Sequence, residues 1–195
     1  MAGVVDDSHC PEAMYVRGKY FESIGDVKLM RKCFETAADA GHIKSIYAMG
    51  LHYKTSFAET DLFESYLIYA AEHGHIEAML TIAKYYAIDK PNPDNMIHYY
   101  KMAIKAGNVY AMYCLGQYYA RYVVMSPCLL ENRPTKKMLK YYKLAAEANY
   151  LPAVEELERY YRNIGDFASM HDYRMKIIDS GDAACIVRLM SSMTS

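Results

Sequence analysis

The sequence predicts an all-α fold: a right-handed superhelical α-solenoid of about five helix-turn-helix repeats plus a C-terminal capping helix, read as a single repeat domain over residues 1–195. Three observations predict it. The phrase AADAGHIKSIYAMGLHY (Ala37–Tyr53) returns as AAEHGHIEAMLTIAKYY (Ala70–Tyr86), 33 residues later. Its glycine has equivalents at Gly41, Gly74, Gly107, Asn149 and Gly181, spaced 33, 33, 42 and 32 residues, the period of a stacked helical hairpin. Residues at fixed offsets from these anchors also keep their size class. Four before stand Ala37, Ala70, Ala103, Ala145 and Ile177, and four after stand Ser45, Ala78, Ala111, Ala153 and Cys185. Eight after come Met49, Ile82, Leu115, Leu157 and Leu189; twelve after come Tyr53, Tyr86, Tyr119 and Tyr161.

Offsets of four and eight on either side of an anchor place the large residues on one face of a helix. The anchor itself then sits between two helices, at a C-terminal cap that requires left-handed backbone; Gly adopts it without penalty and Asn149 is a common substitute. Small residues next to the turn let the two helices cross closely.

The elements follow in order. Repeats are expected at about 11–41, 43–74, 76–107, 109–149 and 151–181, with a terminal cap at 182–191. In the first, His9 is a degenerate anchor that brings Ala13, Gly18 and Phe21 into register, and Arg17 stands where an apolar residue is expected. The turn SIGD (Ser23–Asp26) matches NIGD (Asn163–Asp166) in the fifth, each ending in an Asp suited to cap the next helix. Pro93 and Pro152 suit first-turn positions, where a missing N–H is harmless. The fourth repeat is longer by an insertion within 120–137, with Val123, Val124, Met125, Leu129 and Leu130. The expectation there is a first helix two turns longer, its apolar residues folded back on the stack. The basic run Arg133, Lys136, Lys137, Lys140 and Lys143 that follows reads as a solvated helix face.

Composition narrows the function. With 22 basic and 23 acidic residues the chain is near neutral, which disfavours nucleic acid as a partner. No window approaches the ~18 apolar residues of a membrane span, and the N-terminal MAGVVDDSHCPEAMY lacks the basic and apolar regions of a signal peptide. Five cysteines, odd in number and without a C-x-x-C pair, suit a reducing, cytoplasmic compartment. No phosphate loop, nucleophile elbow or H-E-x-x-H helix is present, so no catalytic residues, metal or cofactor are expected. His42 and His75 match only because each follows an anchor, and His73 with His75 makes a poor metal site without a third ligand.

The phrase around the anchors resembles the Sel1-like repeat, a relative of the tetratricopeptide family, whose core reads A-A-x-x-G-x-x-x-A-x-x-x-L-G-x-x-Y. Ala70, Ala71, Gly74, Ala78, Ile82, Ala83 and Tyr86 follow it, as do Ala103, Gly107, Ala111, Leu115, Gly116 and Tyr119. The resemblance spans about residues 10–190. The glycine-rich loop usual between such repeats is absent; AIDKPNPD and NIGD stand in its place. By this resemblance the helix after each anchor lines a concave groove. The groove residues it implies are Tyr15, Lys19, Tyr47, Lys54, Lys84, Tyr110, Tyr113, Gln117, Arg121, Arg159 and Arg162, accompanied by Lys44 and by Glu12, Glu22, Glu77 and Glu155. Seven bases against four acids, with several tyrosines, suggest an acidic or carboxylate-bearing peptide held by a non-catalytic adaptor, monomeric or weakly homo-oligomeric. The lysine–asparagine clamp of chaperone-binding tetratricopeptide domains is not found. The alternative is a structural protein that assembles with itself through its ends, using Ala184, Ile186, Val187, Leu189 and Met190.

Overall fold

The computed structural model describes residues 10–54, 60–125 and 133–191, and these form eleven helices and no strand. The chain divides into two compact units, residues 1–106 and 107–195. The first holds α1 (Pro11–Ser23), α2 (Val27–Asp39), α3 (Ile43–Tyr53), α4 (Thr60–Glu72), α5 (Ile76–Ile88) and α6 (Pro93–Lys105). The second holds α7 (Val109–Met125), α8 (Arg133–Glu147), α9 (Leu151–Asn163), α10 (Phe167–Asp179) and α11 (Ala183–Ser191). Helices pack chiefly as the hairpins α1–α2, α3–α4, α5–α6, α7–α8 and α9–α10, and successive hairpins join through α2–α3, α4–α5 and α8–α9. The fold is an all-α repeat solenoid.

Each turn after a second helix is three residues long, and the backbone of its middle residue explains the anchor. Gly41, Gly74, Gly107, Asn149 and Gly181 all have positive φ, between 59° and 89°. The Gly41 N–H donates to Ala38 O (2.8 Å) and the His42 N–H to Ala37 O (3.0 Å), the paired bonds that close a helix on a left-handed residue. Gly74–His75 and Asn149–Tyr150 repeat the pair. Gly25 and Gly165 do the same inside the first and fifth hairpins, and Asp26 and Asp166 then accept from Leu29 N (3.0 Å) and Ser169 N (3.1 Å).

The conserved-size columns form the core. Ala37, Ala70, Ala103 and Ala145 are fully buried, as are Met49, Ile82, Leu115 and Leu157. The tyrosines twelve after an anchor pair with a ring on the next helix: Tyr53–Tyr66, Tyr86–Tyr99, Tyr119–Tyr141 and Tyr161–Tyr173 stack at 5.6–6.0 Å, within 24° of parallel. Such pairs stabilise beyond their burial by about 0.5–1.5 kcal/mol each. Nine after an anchor a hole is required. A Cβ at Gly18 would stand 2.5 Å from the Phe34 ring, and one at Gly116 would stand 2.4 Å from Tyr142 Cδ1.

In the insertion, α7 is described as far as Met125, seventeen residues against thirteen for α5 and α9, which is one turn of the expected two; the second turn falls outside the described residues. Leu129 and Leu130 lie outside the described residues. Among the described residues, no helix is long and apolar enough to cross a membrane.

The hole at Gly116 sets a direct expectation. Gly116→Ala lowers stability by about 1–3 kcal/mol in urea denaturation, because the close-packed Tyr142 ring must move. The added change Tyr142→Leu recovers part of the loss.

Candidate functional site

The residue after each anchor stands at the N-cap of the next helix, and three of the five cap it with a side chain. His75 Nδ1 accepts from Ala78 N (3.2 Å), Asn108 Oδ1 from Ala111 N (2.9 Å) and Asp182 Oδ1 from Cys185 N (2.8 Å). Such a cap is worth about 1 kcal/mol. His42 stands in the same column, its Nδ1 bonded to Ser45 Oγ (2.8 Å) and its Nε2 2.9 Å from Glu12. Sequence reasoning explained these histidines by the repeat alone; the structure shows the work they do.

The cap position also lies against a tyrosine of the preceding first helix. Tyr15 meets His42 at 5.1 Å between ring centres, with Lys44 Nζ 5.9 Å above its ring. Tyr47 stacks on His75 at 4.5 Å, and its hydroxyl lies 3.3 Å from Thr81 Oγ1. In the second unit Tyr150 takes the histidine's place, 5.2 Å from Tyr113 and 6.5 Å from Tyr110. Gln117 Nε2 donates to the Tyr113 hydroxyl (2.8 Å). Tyr110 is pushed up to about 12, first by its hydrogen bond with Cys114 and then by burial; burial raises Tyr113 and Tyr150. All four expected tyrosines are half-buried, so each offers a partner an edge. Tyr150 was missed because its column was read as a turn.

The expected positive excess is largely neutralised within the chain. Lys19 pairs with Glu22, Lys44 lies 3.9 Å from Glu12, Arg159 pairs with Glu156 (2.7 Å) and Arg162 with Glu158 (2.6 Å). Lys54, Lys84, Gln117 and Arg121 are exposed. The four acids expected on this face hold cations or histidines: Glu12 and Glu22 as above, Glu77 at 3.4 Å from His75, and Glu155 with Arg188 (2.8 Å).

Arg162 leads to a second residue that the sequence did not single out. Glu158 is 2 % exposed and bonds both Arg162 and Arg174 (2.8 Å). It stands nine after its anchor, where the other repeats carry Gly18, Gly50, Ala83 and Gly116; Arg174 stands where they carry Phe34, Leu67, Tyr100 and Tyr142. The fifth repeat thus replaces a small-residue hole and its large partner with a buried ion pair.

Among the described residues, no group of three or more His, Cys, Asp or Glu is placed to hold a metal, and His73 Nδ1 is engaged with Tyr69 O (2.8 Å). On α11, Leu189 is buried and Ile186 packs inward, so two of the five residues suggested for self-assembly are spent internally. Val187 and Met190 are exposed.

Solved structures share this architecture. The chain is similar to a Sel1 repeat protein from Oxalobacter formigenes, at 24% identity and a TM-score of 0.64, covering 87% of this chain and 74% of that one. It is also similar to c5321, a protective antigen present in uropathogenic Escherichia coli strains displaying an SLR fold, at 19% identity and a TM-score of 0.65. That match covers 92% of this chain and 40% of the antigen. No family model matches the chain, and no curated protein sequence matches it. The fold is that of the Sel1-like repeat.

Two expectations follow. Glu158→Ala alone destabilises by about 3–5 kcal/mol, because two arginines lose their buried counter-charge. Glu158→Gly with Arg174→Tyr, which restores the repeat pattern, costs far less; thermal unfolding of both variants checks this. For His75, burial is the leading cause of a lowered pKa, with Glu77 opposing and Lys44 adding to it. Its neutral form is therefore favoured in the fold. The stability it contributes is complete above the unfolded value of about 6.5 and declines as pH falls through the folded one. His75→Asn, which caps without titrating, flattens the pH dependence of the melting temperature between neutral pH and 5.

Proposed function

We propose that this protein, built on the Sel1-like repeat fold, is a non-catalytic adaptor that binds a peptide or protein partner along the face of its first helices. One observation carries the reading. The same half-buried aromatic contact is made in both units, as Tyr15–His42 and Tyr47–His75 in the first and Tyr113–Tyr150 in the second. Tyrosines held in this way suit a peptide partner, and tyrosine and arginine dominate binding hot spots. Lys54, Lys84 and Arg121 supply the exposed positive charge at this face, so a carboxylate-bearing peptide is the partner proposed. The exposed Val187 and Met190 support a second reading, self-assembly through α11. A mass in solution that stays monomeric at all concentrations would remove it. The compartment proposed is the reducing cytoplasm, since none of Cys10, Cys33, Cys114 and Cys185 forms a disulfide among the described residues.

Affinity capture from lysate, wild type against Lys84→Glu/Tyr113→Ala/Arg121→Glu, tests the reading with circular dichroism as the folding control. A protein retained by the wild type and lost by the variant is the expected result. Equal capture by both would place the interface on another face.

A further inference from the structure

The two helical faces of the second unit treat their cations differently. Around α9, Arg159 and Arg162 of that helix, Arg174 of α10 and Arg188 of α11 each bond one of its glutamates. On the second-helix side the cations lie on tyrosine rings instead. Lys137 Nζ stands 5.1 Å from the Tyr119 ring centre, Lys140 5.9 Å from Tyr141, Lys143 5.7 Å from Tyr161, and on α10 Lys176 is 5.3 Å from Tyr173. Among the described residues none of these four lysines pairs with a carboxylate at ion-pair distance. A depression of about 480 Å³ lies beside two of them, with Lys143, Lys176, Tyr161 and Tyr173 in its wall and Asp172 and Asp179 on its α10 side.

The lysines of α8 gather on one face of the helix. Lys136, Lys137, Lys140 and Lys143 are exposed and lie within about 120° of one another around the axis. Within α8 no acid stands before Glu147, so no carboxylate of the same helix is interleaved with them. Clustered ammonium groups on one face favour a negatively charged partner. The chain is near neutral overall, so this is a confined patch rather than the broad basic surface that tracks a phosphate backbone.

We propose that the lysine–tyrosine face of α8 is a second docking surface, which takes a glutamate- or aspartate-rich segment of a partner protein. Carboxylates displace water from the four α8 lysines, and the stacked tyrosines beneath hold Lys137, Lys140 and Lys143 in place. The aspartates on α10 bound the acidic segment on the far side and set its register along α8.

The test is fluorescence anisotropy of a fluorescein-labelled glutamate-rich peptide with the full chain at low salt, with a glutamine-for-glutamate peptide as control. Lys136→Glu with Lys140→Glu leaves Lys137 and Lys143 on their rings, and circular dichroism verifies the fold. Binding is expected to weaken roughly a hundredfold in that variant, to be unchanged in Lys28→Glu/Lys32→Glu, two exposed lysines of α2 outside both faces, and to fall as salt rises. No binding of the glutamate peptide, equal binding of the glutamine control, or insensitivity to the α8 variant would overturn the proposal. A single-stranded oligoribonucleotide binding more tightly than the peptide would overturn it too, by making the patch a nucleic-acid site.

Discussion

Everything in this fold depends on a three-residue turn whose middle residue adopts left-handed backbone and whose last residue borders the next helix. Gly41 and its equivalents take φ between 59° and 89°. At His42, His75 and Tyr150 the following residue gives its N–H to the helix behind, and the side chains of His75, Asn108 and Asp182 accept from the helix ahead. Within each unit, a turn this short fixes where the second helix of one hairpin meets the first of the next. The alanines beside it must be small for that crossing, and the tyrosine twelve residues on is delivered each time to the same stacking partner. A longer turn would release all three columns together. That coupling is why the period reads so plainly: a repeat protein's stability is close to a sum of local and nearest-neighbour terms, so every unit must satisfy the same geometry.

What was legible in the sequence is what the period controls. The anchors, the fully buried alanines and the leucine-class column could be named from offsets, because burial recurs whenever the helix face recurs. The turn Asp26 and Asp166 share was legible for the same reason. Charge was not. Lys19, Arg159 and Arg162 occupy groove offsets, yet each side chain turns to a carboxylate on its own helix three or four residues away. Long side chains choose partners by rotamer and reach, and an offset table carries neither. The signal at hand was the i, i+3 and i, i+4 spacing of Lys19–Glu22, Glu156–Arg159 and Glu158–Arg162.

Glu158 was illegible for a different reason. Its neighbours in the column are Gly18, Gly50, Ala83 and Gly116, so a large acid there reads as an exposed exception. It is buried because its partner column changed with it: Arg174 replaces an aromatic, and the two substitutions compensate as a pair. Neither residue makes sense alone. A reader of one sequence sees two deviations sixteen residues apart, and only the packing of α9 on α10 joins them.

These exceptions show how such a fold can carry function without a pocket built for chemistry. Because neighbouring repeats supply most of the stabilisation, one junction can depart from the pattern at a local cost and leave the rest intact. The second unit uses that freedom twice. Along α9 its arginines are matched to Glu155, Glu156 and Glu158, which leaves a nearly neutral face where tyrosine edges dominate. Along α8 the lysines rest on rings, which hold an ammonium in place without cancelling its charge. A glutamate beside each lysine would have served the helix better and left no field outside it. The choice of tyrosine as the counterpart keeps the stack filled and the positive charge available to another molecule, so the same ring that closes the core also sets the electrostatics of the surface above it.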